Sequence, residues 1–269
     1  MGNNHYIDSE GLLMCGRCHT RKQVVVKTPS GKVITPYCLC DCESEKLRAT
    51  EARLRENDKL INMRRRKEIA FSDNSLVNCK FENDDLINKR MTRIAKSYVE
   101  KFDEVKKKNI GIVFYGKVGT GKTFMASCIA NALLEKGYSC FVTNFARLSN
   151  TIFGLNEERQ KYLDSLADFD LLVIDDLAAE RETTYMDEII YNVIDTRYKS
   201  NKPIIITTNL LLWDFGNPIN SRRERIYTRL KEMCTFIEFN SIDRRHFKGK
   251  EKNEAAICLF GNGIDSNFD

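Results

Sequence analysis

Apolar residues concentrate in five short runs, at 110–115, 139–143, 171–174, 203–207 and 235–239, separated by longer stretches in which they recur three or four positions apart. Such alternation predicts an α/β module with a parallel sheet flanked by helices, covering residues 71–248. Ahead of it, residues 43–70 are rich in Glu, Lys and Arg, and Leu47, Leu54 and Ile61 stand seven apart. That pattern predicts a long, largely exposed connecting helix. Farther upstream, residues 24–27 and 32–35 read as two strands around the turn Pro29-Ser-Gly31, a hairpin within a small module of residues 1–42. After residue 248 the chain is polar and glycine-containing apart from an apolar patch at 255–260, so residues 249–269 are expected to form a weakly docked tail.

The chain has 269 residues with 42% hydrophobic content, enough for one good core and a smaller appendage. Lys and Arg number 43 against 38 Asp and Glu, and the formal charge of +5 favours a polyanionic partner without requiring one. Arg64-Arg-Arg-Lys67 is basic enough to contact nucleic acid, but a solvated helix face accounts for it equally. No apolar run is long enough to cross a bilayer and residues 1–6 lack a hydrophobic signal core, so a cytoplasmic protein without a membrane partner is expected.

Of the ten cysteines, Cys15, Cys18, Cys38, Cys40 and Cys42 crowd near the start of the chain. A hairpin between two cysteine knuckles brings thiolates together around a tetrahedral Zn²⁺, which a module this small needs for stability. Four places and five candidates leave a spare. The favoured set is Cys15, Cys18, Cys40 and Cys42, with Cys38 as the substitute and His19 as a further competitor.

The most informative segment joins the first apolar run of the α/β module to an apolar-periodic stretch. Gly116, Lys117, Val118, Gly119, Thr120, Gly121, Lys122 and Thr123 fit G-x-x-x-x-G-K-[ST], the strand-to-helix loop whose amides cradle phosphates. Lys122 supplies a mobile charge for the β- and γ-phosphates of ATP or GTP, and the Thr123 hydroxyl supplies an oxygen ligand for Mg²⁺. Two acids, Asp175 and Asp176, end the apolar run at 171–174. Asp175 is the candidate Mg²⁺ ligand and Asp176 the candidate general base for the attacking water. Asn209 ends the run at 203–207, at the strand edge where α/β sheets bind ligands. Arg225 and Arg229, four apart, share one helix face, and one of them is a candidate to reach a neighbouring subunit's nucleotide.

These residues resemble the AAA+ ATPases of the DnaC/DnaI helicase-loader type and their relatives, the IstB transposition helpers. The likeness covers most of the chain. It is carried by Cys79-Lys-Phe-Glu-Asn83, Tyr98-Val-Glu-Lys-Phe102, the phosphate loop, Asp170-Leu-Leu-Val-Ile-Asp-Asp-Leu177, Ile206-Thr-Thr-Asn209 and Glu224-Arg-Ile-Tyr-Thr-Arg-Leu230. The cysteine-rich start is also similar to that of many Gram-positive and phage loaders. The resemblance implies ATP as the nucleotide, Asn209 as sensor 1, Arg229 or Arg225 as arginine finger, and Arg244 as the sensor 2 arginine. It also implies single-stranded DNA contacts at Thr183 and Tyr185, near which Phe145 and Phe153 are expected to be buried core. The sequence departs from the family's pattern in carrying Asp176 where Glu is commoner and Asp243 immediately before Arg244.

The function expected from this resemblance is ATP-controlled loading of a DnaB-type hexameric replicative helicase onto single-stranded DNA. ATP would favour self-association, and turnover would be slow and switch-like. A transposition helper ATPase acting on duplex DNA is the first rival. A P-loop kinase or a nucleotide-binding adaptor without turnover is the second.

Overall fold

The computed structural model describes residues 5–155, 157–177 and 184–260. Two compact units divide the chain, Met1–Asn62 and Met63–Asp269.

In the first unit, β1 (Tyr6–Ile7) pairs antiparallel with β2 (Leu13–Met14), and β3 (Val26–Lys27) with β4 (Val33–Ile34). The second pair is the hairpin predicted at 24–27 and 32–35, closed by Gly31 at φ +83° donating to Thr28 O at 2.9 Å. The first pair had no signal, because no run of β-branched residues like Val24-Val-Val26 marks residues 6–7 or 13–14. Among the described residues of the unit, Leu12, Cys15 and Cys40 are the buried apolar ones. Helix α1 (Asp41–Ala70) follows for 30 residues, about 45 Å at the α-helical rise. Its heptad-spaced Leu47, Leu54 and Ile61 are exposed, as the sequence predicts.

In the second unit, α2 (Lys89–Glu100) and α3 (Phe102–Lys107) precede β5 (Gly111–Tyr115) and the phosphate-loop helix α4 (Lys122–Glu135). There follow β6 (Cys140–Asn144), α5 (Phe145–Gly154), α6 (Arg159–Ser165), β7 (Leu171–Leu177), α7 (Thr184–Ser200), β8 (Ile204–Thr208) and α8 (Leu212–Gly216). The last elements are α9 (Ser221–Met233), β9 (Cys234–Glu238) and α10 (Arg244–Phe260). The five strands form one parallel sheet in the order β6-β7-β8-β5-β9. All five predicted runs become strands, four of them offset by one residue at their ends, while β7 continues three residues past the predicted end at 174.

Strand alternation splits the core into two layers. Ile112 and Phe114 of β5 face a cluster with Met91, Ala95, Met125, Ile129 and Leu133. Val113, between them, faces Leu148, Ile174, Ile190, Val193, Ile226 and Leu230 on the opposite side. Each buried branched or aromatic side chain contributes roughly 1.5–3 kcal/mol relative to exposure, so these layers hold the sheet against chain entropy.

A buried cation ties the sheet's lower edge. Arg197 of α7 is fully buried, and its guanidinium donates to the carbonyls of Leu166 (3.1 Å), Phe169 (2.8 Å) and Pro203 (2.5 Å). Those carbonyls lead into β7 and β8, so one side chain sets where both strands begin. Burial lowers the guanidinium to about 10, still charged at neutral pH.

The end of the chain departs from expectation. Residues 244–260 form a helix rather than a tail, although Leu259 and Phe260 remain exposed. The helix is anchored at its start, where Arg244 N donates to Gly119 O and Ser241 Oγ to Thr120 O, both at 3.0 Å. Backbone anchoring of this kind leaves no hydrophobic periodicity in the sequence.

Candidate nucleotide and metal sites

With β5 lying between β8 and β9, and β7 beyond β8, the carboxyl ends of the three strands bearing the candidate residues open side by side. The loop leaving β5 bends at Gly116 (φ +130°), where a Cβ would stand 2.5 Å from Phe239 O. Gly119 and Gly121 also have positive φ, and a Cβ on either would collide with Asp243 or Arg244. Helix α4 starts at Lys122, so its unpaired amides face the same cleft.

Lys122 Nζ donates to Gly116 O (2.8 Å), Lys117 O (2.7 Å) and Asn209 Oδ1 (2.8 Å). Burial lowers its ammonium from the ordinary value, opposed by the charges of Asp176 and Asp175. Thr123 Oγ1 donates to Asp175 Oδ1 at 2.8 Å, and Thr207 Oγ1 donates to the same oxygen. Burial raises the Asp175 carboxyl, against those two hydrogen bonds. Asp176 sits at a register break in the β7–β8 ladder, with φ +55° and its amide donating to Thr207 Oγ1 at 3.0 Å. The break turns consecutive acids to different work, Asp175 against Thr123 and Asp176 into the cleft.

That cleft, about 290 Å³, is lined by Val118, Lys122, Thr123, Asp176, Asn209 and Arg244, together with Asn83, Asp85 and Arg245. Thr120 is buried, its hydroxyl donating to Lys117 O at 2.9 Å. The donor set fits a magnesium triphosphate: backbone amides and Lys122 for phosphate oxygens, and Thr123 with Asp175 for the cation. Asn83, Asp85 and Arg245 were not legible as site residues, since they lie in segments without a phosphate-loop motif.

The two finger candidates on α9, Arg225 and Arg229, differ. Arg229 Nη2 lies 2.7 Å from Asp195 Oδ1, with the guanidinium 4.5 Å from the Tyr191 ring centre and 5.5 Å from that of Tyr198. Arg225 is exposed and makes no ion pair among the described residues. The helix itself is fixed by the buried pair Arg223–Asp187 at 2.9 Å.

Thr183 lies outside the described residues. Tyr185, 37% exposed, meets Phe153 edge-on at 6.4 Å between ring centres, and Arg159 stands 5.7 Å from the Tyr185 ring centre. Phe145 is buried as expected, whereas Phe153 is 77% exposed. The reason is helical phase: Phe145, Leu148 and Ile152 share the buried face of α5, and Phe153 stands about 100° farther round.

In the first unit, the ligand atoms of Cys15, Cys18, Cys40 and Cys42 all lie within 4.8 Å of one another. Cys15–Cys42 and Cys40–Cys42 sulfurs are 3.7 and 3.4 Å apart, close to the roughly 3.8 Å edge that tetrahedral zinc–thiolate bonds of about 2.3 Å produce. Cys38 stands aside, its thiol directed at Arg21 O at 3.5 Å, and the exposed His19 bonds Tyr6 instead. Hydrogen bonding, first from the Thr20 side chain, lowers Cys18 to about 5, whereas burial pushes Cys40 up to about 12. Such a cluster ionises fully only around a cation, so the residues fit a zinc ion.

A glycine-rich strand-to-helix loop, paired acids on β7, an asparagine at the end of β8, the strand between, and an arginine from the C-terminal side make up a candidate nucleotide site on a fold of the AAA+ class. Residues 43–248 match the family model of the IstB-like ATP binding protein. A replicative helicase loader DnaC from Buchnera aphidicola subsp. Schizaphis graminum (strain Sg) is 31% identical over 215 residues, 76% of this chain and 84% of that protein. The Escherichia coli (strain K12) replicative helicase loader DnaC is 34% identical over 140 residues, 49% of this chain and 56% of that protein. Among solved structures, that of DnaI superposes with TM-score 0.56 at 21% identity, covering 67% of this chain and all of that one. The DnaC helicase loader structure superposes with TM-score 0.52 at 23% identity, covering 62% of this chain and all of that one. The chain belongs to the IstB-like ATP-binding family, in its DnaC-type AAA+ branch. No helix among the described residues is long and apolar enough to cross a membrane.

Proposed function

We propose that this protein is an ATP-hydrolysing loader that delivers a DnaB-type hexameric helicase to single-stranded DNA during replication. The observation that carries the reading is the joined site of Lys122, Thr123, Asp175, Asp176 and Asn209 in a chain whose relatives bear the name replicative helicase loader. ATP with Mg²⁺ supplies the phosphoryl bond and the charge that is neutralised during its cleavage. Lys122 and the loop amides bind phosphate oxygens, while Thr123 and Asp175 hold the cation. Asp176 accepts a proton from water, and Asn209 orients that water or the terminal phosphate. Its Asp, shorter than the family's commoner Glu, suits slow, switch-like turnover.

Arg225 is the better finger toward a neighbouring copy, because Arg229 is already held by Asp195 and two tyrosines. An arginine supplied in trans makes self-association respond to the terminal phosphate, which supports a loader that assembles with ATP and lets go after hydrolysis. The exposed Phe153 and Tyr185 beside Arg159 form a surface on which bases of single-stranded DNA can stack. The zinc-bearing module of residues 1–42 and the connector of residues 43–70 are assigned to gripping the helicase, and residues 71–248 to the ATPase.

The test is co-precipitation of the resident hexameric helicase by the full chain, with ATP or ADP, beside a chain lacking residues 1–70. Retention by the full chain alone supports the assignment. ATP-dependent clamping on duplex DNA without helicase retention supports instead the transposition-helper reading.

A further inference from the structure

The loop ahead of α2 delivers a carboxylate to the mouth of the phosphate cradle. Asp85 Oδ1 accepts from Arg244 Nη2 at 2.8 Å, and Asp85 Oδ2 lies 2.7 Å from Arg244 Nε. Asp85 thus holds the guanidinium by one hydrogen bond and one close ion-pair contact. The remaining edge of the same group donates to the phosphate loop, Nη1 to Thr120 O at 3.1 Å. Arg244 is thus seated on the cradle by one edge and held by Asp85 along the other.

The loop is built to present that carboxylate. Asp85 Oδ1 also accepts from Ile87 N at 3.0 Å, and the neighbouring Asp84 is anchored by the Thr92 hydroxyl and by Leu86 N. Leu86 adopts φ +56°, a left-handed conformation that a leucine keeps only where its surroundings over-determine it. The two partners are unequally free: the Asp85 side chain is 42% exposed and that of Arg244 14%. Of the pair, Asp85 is the one able to withdraw into solvent.

We propose that Asp85 is a positioning residue that competes with the terminal phosphate for Arg244 and thereby sets the affinity of the site for triphosphate, an inference that rests on reading the cleft as a triphosphate site. A carboxylate and a phosphate seek the same guanidinium donors, so Arg244 turns its outer edge to phosphate only as Asp85 releases it. Asp85 also opposes an incoming polyanion through its own charge, but that repulsion acts on ADP and ATP alike. Competition for Arg244 acts chiefly on the nucleotide that has the terminal phosphate.

The test is titration of fluorescent ATP and ADP analogues into the full chain and into Asp85→Asn, whose amide oxygen still accepts from Ile87 N. Asp85→Asn is expected to lower the Kd for ATP about three- to tenfold and that for ADP less than about twofold. In an Arg244→Ala background the same substitution should lose its preference for ATP, moving both Kd values by the same factor of less than about twofold, because the competitor has lost its object and only the charge repulsion remains. Unchanged or weaker ATP binding by Asp85→Asn, equal tightening of ATP and ADP, or an undiminished effect without Arg244 each overturns the proposal. A wild-type chain that binds no ATP fells the triphosphate reading and the proposal together. Wild-type binding that Lys122→Ala abolishes keeps that reading, and an inert Asp85→Asn then removes the proposal alone.

Discussion

Lys122 and Asn209, 87 positions apart in the chain, are joined by a 2.8 Å hydrogen bond from the ammonium to the amide oxygen. The contact links the phosphate loop to the end of β8, so a change at the phosphates is felt at the sheet edge that leads into α8. Asn209→Ala is expected to reduce ATP turnover on the order of 10²-fold while leaving the nucleotide Kd within about threefold. Parallel kcat and Kd measurements check this, and a loss confined to binding would reassign Asn209 to nucleotide capture.

Asp175 carries a cost in the protein without metal. Its folded-state carboxyl lies above the ordinary 3.8, raised first by burial, so the folded chain binds that proton more tightly than the unfolded chain. Stability therefore falls as pH rises through this interval and the penalty is complete above it. Asp175→Asn should raise the melting temperature in chelator by a few degrees at pH 7, with the gain shrinking toward pH of about 4. It should abolish magnesium-dependent turnover at the same time. A variant less stable at neutral pH would count against the burial penalty.

Arg229→Ala breaks the ion pair with Asp195 and the stacking on Tyr191 and Tyr198, and is expected to cost about 1–2 kcal/mol of stability. Arg225→Ala should stay within about 0.5 kcal/mol of wild type yet depress turnover, up to the roughly 10³-fold that a finger arginine supplies. Denaturant melts and ATPase assays separate the two. Mixing Arg225→Ala with Lys122→Ala should partly restore activity, whereas strictly additive residual rates would place both residues in one protomer's site.

The protein purified without chelator should contain about one zinc per chain. Cys15→Ser or Cys40→Ser should release it, and Cys38→Ser should retain it, since Cys38 lies outside the sulfur cluster. Atomic absorption on each variant decides the matter. Loss of zinc from Cys38→Ser would put that thiol back among the ligands.

Much of the nucleotide site was legible because its parts are local. Glycines that must take positive φ, a lysine and threonine at the start of α4, and acids at the end of an apolar strand are short-range demands that one stretch of sequence meets. Phe153 misled because its place beside apolar neighbours concealed a phase about 100° off the buried face of α5. The C-terminal helix was missed because what holds it is its backbone and Arg244 on the phosphate loop, contacts that leave no periodicity in composition.

By itself the sequence determined the five strands of the sheet and the helices between them, through their apolar periods, and the chemistry available at each strand end, through side-chain type. Partner choice was decided only in three dimensions. The strand order carries Asp175 to Thr123, 52 positions away, and the chain's return to the sheet carries Arg244 to Asp85, 159 positions away. Periodicity is set by each residue's near neighbours, whereas these pairings depend on crossovers and register among all five strands, which no single segment encodes.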